Sequence, residues 1–181
     1  MFIDRSVGPK LAQFRHAQVS FFSEGVAFNT SLHANKPYPD SPPISKTTVL
    51  CEGIDWQVSH MAQVLSHFSA TLSNVVHLKL EVKPEDGRQL EGTDDVEWLH
   101  LLHQFSTVQT LHVSHELAGH VTLALENISQ ETVTETPPSL DLIFLAGQPA
   151  SSIENFVAAR QLSGRAVKGE FDKRVESYVN E

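Results

Sequence analysis

HLLHQFSTVQTLHVSHELAGH, residues 100–120, holds five of the ten histidines in the chain. Histidine is the commonest metal ligand and the usual acid–base catalyst near neutral pH. The aliphatic letters of the stretch carry more information. Leu101 and Leu102 fall on one helical face, Leu111 and Val113 alternate with Thr110 and His112 as in a strand, and Leu117 opens a second helical stripe. The stretch reads as helix, strand, helix.

The same unit recurs on either side. NVVHLKLEV (74–82) is a strand with Leu78 and Leu80 on one side and His77, Lys79 and Glu81 on the other. SLDLIFLAG (139–147) is another. Val75, Leu78 and Leu80 align with Val108, Leu111 and Val113, and then with Leu140, Ile143 and Leu145. The offsets are 108 − 75 = 33 and 140 − 108 = 32. Leu50 precedes Leu78 by 78 − 50 = 28, which makes a fourth unit in KTTVLCEG plausible. A strand plus a helix every 30 residues or so marks a solenoid, in which no unit buries its face alone. No Asn or Cys follows the strands as in regular leucine-rich repeats, so the repeat is degenerate. The expected fold is α/β: a short leucine-rich-repeat-like solenoid with a mostly parallel sheet. The alternative is an open doubly wound sheet, which alternates the same elements at a similar pitch.

Between the strands, residues 56–72 place Val58, Met61, Ala62, Leu65, Phe68 and Leu72 on one helical stripe. Residues 95–105 do the same with Trp98, Leu101, Leu102 and Phe105, and 115–128 with Leu117, Val121, Ala124, Leu125 and Ile128. Ser151 and Glu154 form a capping box for a helix bearing Ile153, Phe156 and Val157, with Gly164 at its C-terminal end. A weaker helix is expected at about 170–179, with Phe171, Val175 and Tyr178. AQVSFF and GVAFN flank Ser23-Glu24-Gly25 as a hairpin. KPYPDSPPISK (36–46), KPEDGRQLEGTDD (83–95) and SQETVTETPPS (129–139) read as loops. One domain is expected over 1–181: hairpin and proline loop to 46, repeats over 47–165, and a tail from 166.

Composition narrows the function classes. Hydrophobic residues make up 40% and charged residues 19%, and the formal charge is −9 with 13 Lys and Arg in no stripe. Such a chain repels a phosphate backbone and an anionic membrane, so neither nucleic acid nor membrane is the expected partner. A single Cys51 forms no internal disulfide and fits a reducing compartment. MFIDRSVGPKLAQFRH is too interrupted by charge for a signal peptide. The expected location is intracellular, cytoplasmic or nuclear.

Catalytic and metal readings find little support. His100 and His103 point away from the apolar face of their helix and could share a surface ion through two ligands. His112 leaves the outward side of its strand, His115 precedes or caps the next helix, and His120 flanks that helix's stripe. A zinc site needs three or four convergent ligands, and these five leave different elements in different directions. Cys51 with His60 invites a nucleophile–base reading, but a strand cysteine is more often a small buried apolar residue. GxSxG, Walker, GxGxxG and HExxH patterns do not occur. Glu85-Asp86 and Thr93-Asp94-Asp95 do not match the spacing of a calcium loop. No catalytic residue, cofactor or metal ligand is therefore assigned. A small α/β enzyme or metal protein using His100–His120 stands as the alternative.

The outward strand positions are the preferred site. Side-by-side solenoid strands form a continuous binding surface. Lys79, His112 and Phe144 should occupy equivalent places on neighbouring strands, as should His77, Thr110 and Leu142. Phe144 and Leu142 are large and apolar yet outward, so either a protein partner or a terminal segment of the chain covers them.

CEGIDWQVSHMAQVLSHFS, EWLHLLHQFSTVQTLHVSHELAGHVTLALENIS, SLDLIFLAGQP and ENFVAARQLSGRAV together resemble the C-terminal region of F-box and leucine-rich-repeat-like proteins of mushroom-forming fungi. The similarity covers roughly residues 10–168, and FVAARQLSGR is its most specific part. The resemblance implies the substrate-recognition region of a ubiquitin-ligase receptor, a non-enzymatic protein-interaction module. In that family an F-box docks on the ligase adaptor. Here a hairpin and a proline loop are expected over residues 1–46 in place of F-box helices, so adaptor binding would require an F-box upstream in a longer form.

Overall fold

The computed structural model describes residues 14–31, 45–51, 53–83, 95–131, 139–146 and 153–172. Most of the three expected loops, the Ser151 cap, the two acidic stretches and the tail beyond 172 lie outside these. Seven strands form one sheet: β1 (His16–Phe22), β2 (Gly25–Ser31), β3 (Ser45–Leu50), β4 (His77–Val82), β5 (Thr110–Val113), β6 (Leu142–Ala146) and β7 (Lys168–Asp172). The helices are α1 (Ile54–Ser66), α2 (Ser69–Leu72), α3 (Asp95–His103), α4 (His115–Glu131) and α5 (Glu154–Leu162). The protein is thus α/β with a mostly parallel, unclosed sheet.

Strand order is β3-β2-β1-β4-β5-β6-β7. β1 and β2 are an antiparallel hairpin around Ser23 and Glu24, and β3 pairs antiparallel with β2. From β1 onward, β4, β5, β6 and β7 add in parallel. Every crossover, from β3 through α1 to β4 and then one strand at a time to β7, steps the same way across the sheet. Crossovers of one hand that step in one direction place their helices on one face. A doubly wound sheet needs a reversal of direction, so that alternative is overturned among the described residues.

The burial pattern agrees. Val19, Phe21, Val26 and Phe28 of the hairpin share one core with Leu78, Leu80, Leu111, Val113, Ile143 and Leu145 of the parallel strands. Helix residues Val58, Met61, Leu65, Trp98, Leu101, Leu117, Val121, Leu125 and Phe156 close that core from the same side. The three residues that open the repeats, Val75, Val108 and Leu140, are buried in it as well.

The repeat persists in the backbone. The amides of Val76 and His77 both donate to the Arg15 carbonyl, those of Gln109 and Thr110 to Val76, and those of Asp141 and Leu142 to Gln109. Register pairs His77 with Thr110 and Thr110 with Leu142, offsets of 110 − 77 = 33 and 142 − 110 = 32. Lys168 follows Leu142 by only 168 − 142 = 26, although α5 is as long as the α3 of the 33-residue unit, so the shortening lies in the connections.

Several expectations change. The fourth unit built on Leu50 does not neighbour β4, since the hairpin lies between them. Leu50 is 73% exposed, because alternation along β3 turns Thr47 and Val49 to the core side instead. The expected hairpin is present and forms part of the sheet. The helix over 56–72 divides after Ser66, where His67 and Phe68 bond three residues back to Val64 and Leu65 and tighten the turn. Where a C-terminal helix is expected to begin at about 170, β7 runs over Lys168–Asp172 and takes the ladder groups that β6 would otherwise leave open. The remainder of that expected helix, with Val175 and Tyr178, lies outside the described residues. Gly164 does end α5, with φ 74°.

Gly25 is required by close approach: a β-carbon there would lie 2.2 Å from the Val49 carbonyl oxygen. Gly25→Ala must push β3 off β2, and we expect a loss of about 1–3 kcal/mol in urea denaturation.

Candidate functional site

With every described helix on one side, the other face of the sheet presents the alternate residues of each strand. Register sets them in rows. Gln18, Lys79, His112, Phe144 and Glu170 are paired strand to strand, and so are His16, His77, Thr110, Leu142 and Lys168. All six residues selected from the alternation thus lie on one surface, three to a row. His112 and Lys79 are exposed, while His77, Thr110, Leu142 and Phe144 are half-buried.

Two ring pairs shape the surface. His112 stacks on Phe144 with centroids 4.3 Å apart and planes 9° apart. His16 stacks on His77 at 4.5 Å and 6°. Phe144 is therefore shielded on one side by an imidazole, which accounts for part of its burial. Burial, and after it the charge of Arg15, holds His77 below the ordinary 6.5. His112 is lowered first by burial and then by His77 and Lys79.

Glu81 ties β4 to β1. Its Oε1 accepts hydrogen bonds from Gln18 Nε2 and from Ser20 Oγ, the latter at 3.0 Å, and its Oε2 pairs with Lys79 Nζ. Burial would push this carboxyl up. The hydrogen bond and charge of Lys79, with the bonds from Ser20 and Gln18, outweigh burial and hold it below its ordinary range. The Lys79 side chain stays 55% exposed against 19% for Glu81, so the cationic end of the pair faces outward. Sequence reasoning placed Glu81 outward but missed this role, and it missed His16. Both depend on β1 lying beside β4, which no local pattern encodes.

The histidines of the opening stretch separate in space. His100 and His115 are exposed on α3 and α4. His103, expected to point to water, is half-buried with its Nε2 enclosed. The helix ends at His103, and Phe105 folds back with its amide on the Leu102 carbonyl, so helical angles no longer describe the surroundings. His120 stacks on Trp98 with centroids 6.4 Å apart. Among the described residues, no group of three or more His, Cys, Asp or Glu is placed to hold a metal ion. The convergence that a metal centre at His100–His120 would need is thus not formed.

Cys51 is half-buried, and burial pushes its thiol up, away from the thiolate. His60 turns its Nδ1 to the Trp56 carbonyl at 2.7 Å and stacks on the Trp56 ring. The void lined by Leu78, Leu102, Phe105, Val108, Leu111, Leu125 and Leu140 lies inside the core and is wholly apolar. No helix among the described residues is long and apolar enough to cross a membrane. Comparison with protein-family models, curated proteins and solved structures finds no match to this chain.

Two outcomes are expected from this geometry. Glu81→Ala leaves the Ser20 and Gln18 donors without their acceptor and should cost about 1–3 kcal/mol in urea denaturation. The second concerns pH. Unfolded histidines take protons as pH falls through 6.5, whereas folded His77 and His112 resist. The unfolded state then binds more protons, so stability falls over that range. The urea midpoint should drop between about pH 7.5 and about pH 5.5, and less so in His112→Gln.

Proposed function

We propose that this protein is a non-enzymatic interaction module. On this reading it is a short leucine-rich-repeat-like solenoid that binds a protein partner on the outer sheet face. The observation that carries the reading is the face opposite the described helices: ordered rows of polar, aromatic and aliphatic side chains set by the strand register. A flat surface of strand residues suits broad contact with another protein, as solenoid sheets commonly provide. Apolar and aromatic side chains such as Leu142 and Phe144, rimmed by polar groups, are the usual anchors of such contacts.

The resemblance to the repeat region of fungal F-box receptors supports the same role, with the partner as the protein selected for ubiquitin transfer. Adaptor docking belongs to an F-box in a longer form and not to the rows on this sheet. Lys79, His112 and Phe144 are the central contacts, with His77, Thr110 and Leu142 beside them.

The test is affinity capture from a fungal extract, read by quantitative mass spectrometry. The intact chain is compared with Lys79→Ala/His112→Ala/Phe144→Ala of matched circular dichroism. Partners of the intact chain should fall at least about tenfold with the variant, as expected when central anchors are removed. Equal recovery by both proteins would assign binding to a different surface.

A further inference from the structure

Charge is divided between the two layers. The described helices carry the acids Asp55, Glu97, Glu116, Glu126 and Glu154, and their only Lys or Arg is the buried Arg160. The described lysines all lie on the strands or at a strand end, and three of them, Lys46, Lys79 and Lys168, occupy the outer rows. Of the acids at outward positions on these strands, Glu81 is paired with Lys79 and bonded by Ser20 and Gln18, and Glu170 and Asp172 stand at the far edge on β7. In a chain of formal charge −9, the described lysines are thus gathered on the sheet, with Lys46 and Lys79 on the half of the face away from Glu170 and Asp172.

We infer that the outer face docks an extended acidic segment of the partner, laid across the strands. This deepens the interaction reading and rests on it. Lys46 and Lys79 share one row, separated by β2 and β1. Three strand spacings put them roughly 14 Å apart, the reach of about four extended residues. Acidic side chains at that interval meet both ammonium groups. An apolar residue further along the segment reaches the step formed by His112 and Phe144, and Lys168 lies in the adjacent row beyond. Glu81, Glu170 and Asp172 are the carboxylates on the same strands that oppose an acidic segment.

The experiment is selection of a random dodecapeptide display library on the intact protein. Selected peptides are then titrated against Lys46→Glu, Lys79→Gln and Phe144→Ser, each checked for fold by circular dichroism. Acidic peptides should be enriched. Their affinity should fall about tenfold in Lys46→Glu and as salt rises from about 50 to 300 mM. Lys46 is exposed on the edge strand and away from the Glu81 network, so its variant tests charge without disturbing that network. Enrichment of basic or neutral peptides that Phe144→Ser still loses would overturn the acidic preference and leave the binding face standing. Peptides bound equally by every variant would overturn both. A library without enrichment would overturn the acidic segment, and the face would then be judged by affinity capture alone.

Discussion

The parallel pairing of β1 with β4 is the constraint on which the rest of the structure depends. A strand–helix unit has one apolar face and no means of burying it alone, so a row of such units needs a first strand to build on. β1 is that strand. Arg15 offers its carbonyl to Val76 and His77 as Val76 later offers its own to Gln109 and Thr110. Phe21 carries the core across the junction, packing against Trp98 at 5.4 Å between ring centroids. On the other face His16 stacks on His77, while Gln18 and Ser20 bond to Glu81. The junction is therefore held on both faces, and β2 and β3 cover the edge that β1 would otherwise expose.

From that first strand, uniform crossover direction does the rest. Each helix lands beside the previous one, so α1, α3, α4 and α5 form a single layer. The sheet is then apolar on one side and mixed on the other. Glu81 illustrates the consequence: a carboxylate among strand residues is stable because three neighbours on its own face satisfy it. His112 and Phe144 illustrate it differently, since each ring covers apolar area of the other without any helix above them.

The parallel part of this arrangement was legible because its period is written into consecutive residues. Val75, Leu78 and Leu80 and their two sets of equivalents repeat at offsets that the hydrogen-bond register reproduces. The outward rows followed from the same alternation, which is why Lys79, His112 and Phe144 do lie side by side. The hairpin's place was not legible. Nothing within HAQVSFF distinguishes an isolated hairpin from one whose first strand pairs with residues some sixty positions later; the Gln18–Glu81 bond spans 63 residues. Leu50 was misread for a related reason, because aliphatic letters were aligned without fixing which of two adjacent residues faces inward. A slip of one residue moves a side chain to the other face. The segment from about 170 reads as the start of a weak helix, and over Lys168–Asp172 the open edge of β6 is paired by a strand instead.

The absence of any reversal in the described crossovers also bears on function. Open α/β sheets hold small ligands in the crevice where successive crossovers diverge to opposite faces, at the carboxyl ends of the strands. A sheet wound in one direction forms no such crevice. Its distinctive surface is instead the broad one that the helices do not reach, spanning all seven strands. The register spreads side chains at regular intervals across that surface. The interaction proposed above draws on that spread, with side chains held in fixed register and few degrees of freedom to lose on contact. The same spacing that parts His100 on α3 from His115 and His120 on α4 sets His16, His77 and His112 on adjacent strands of one face.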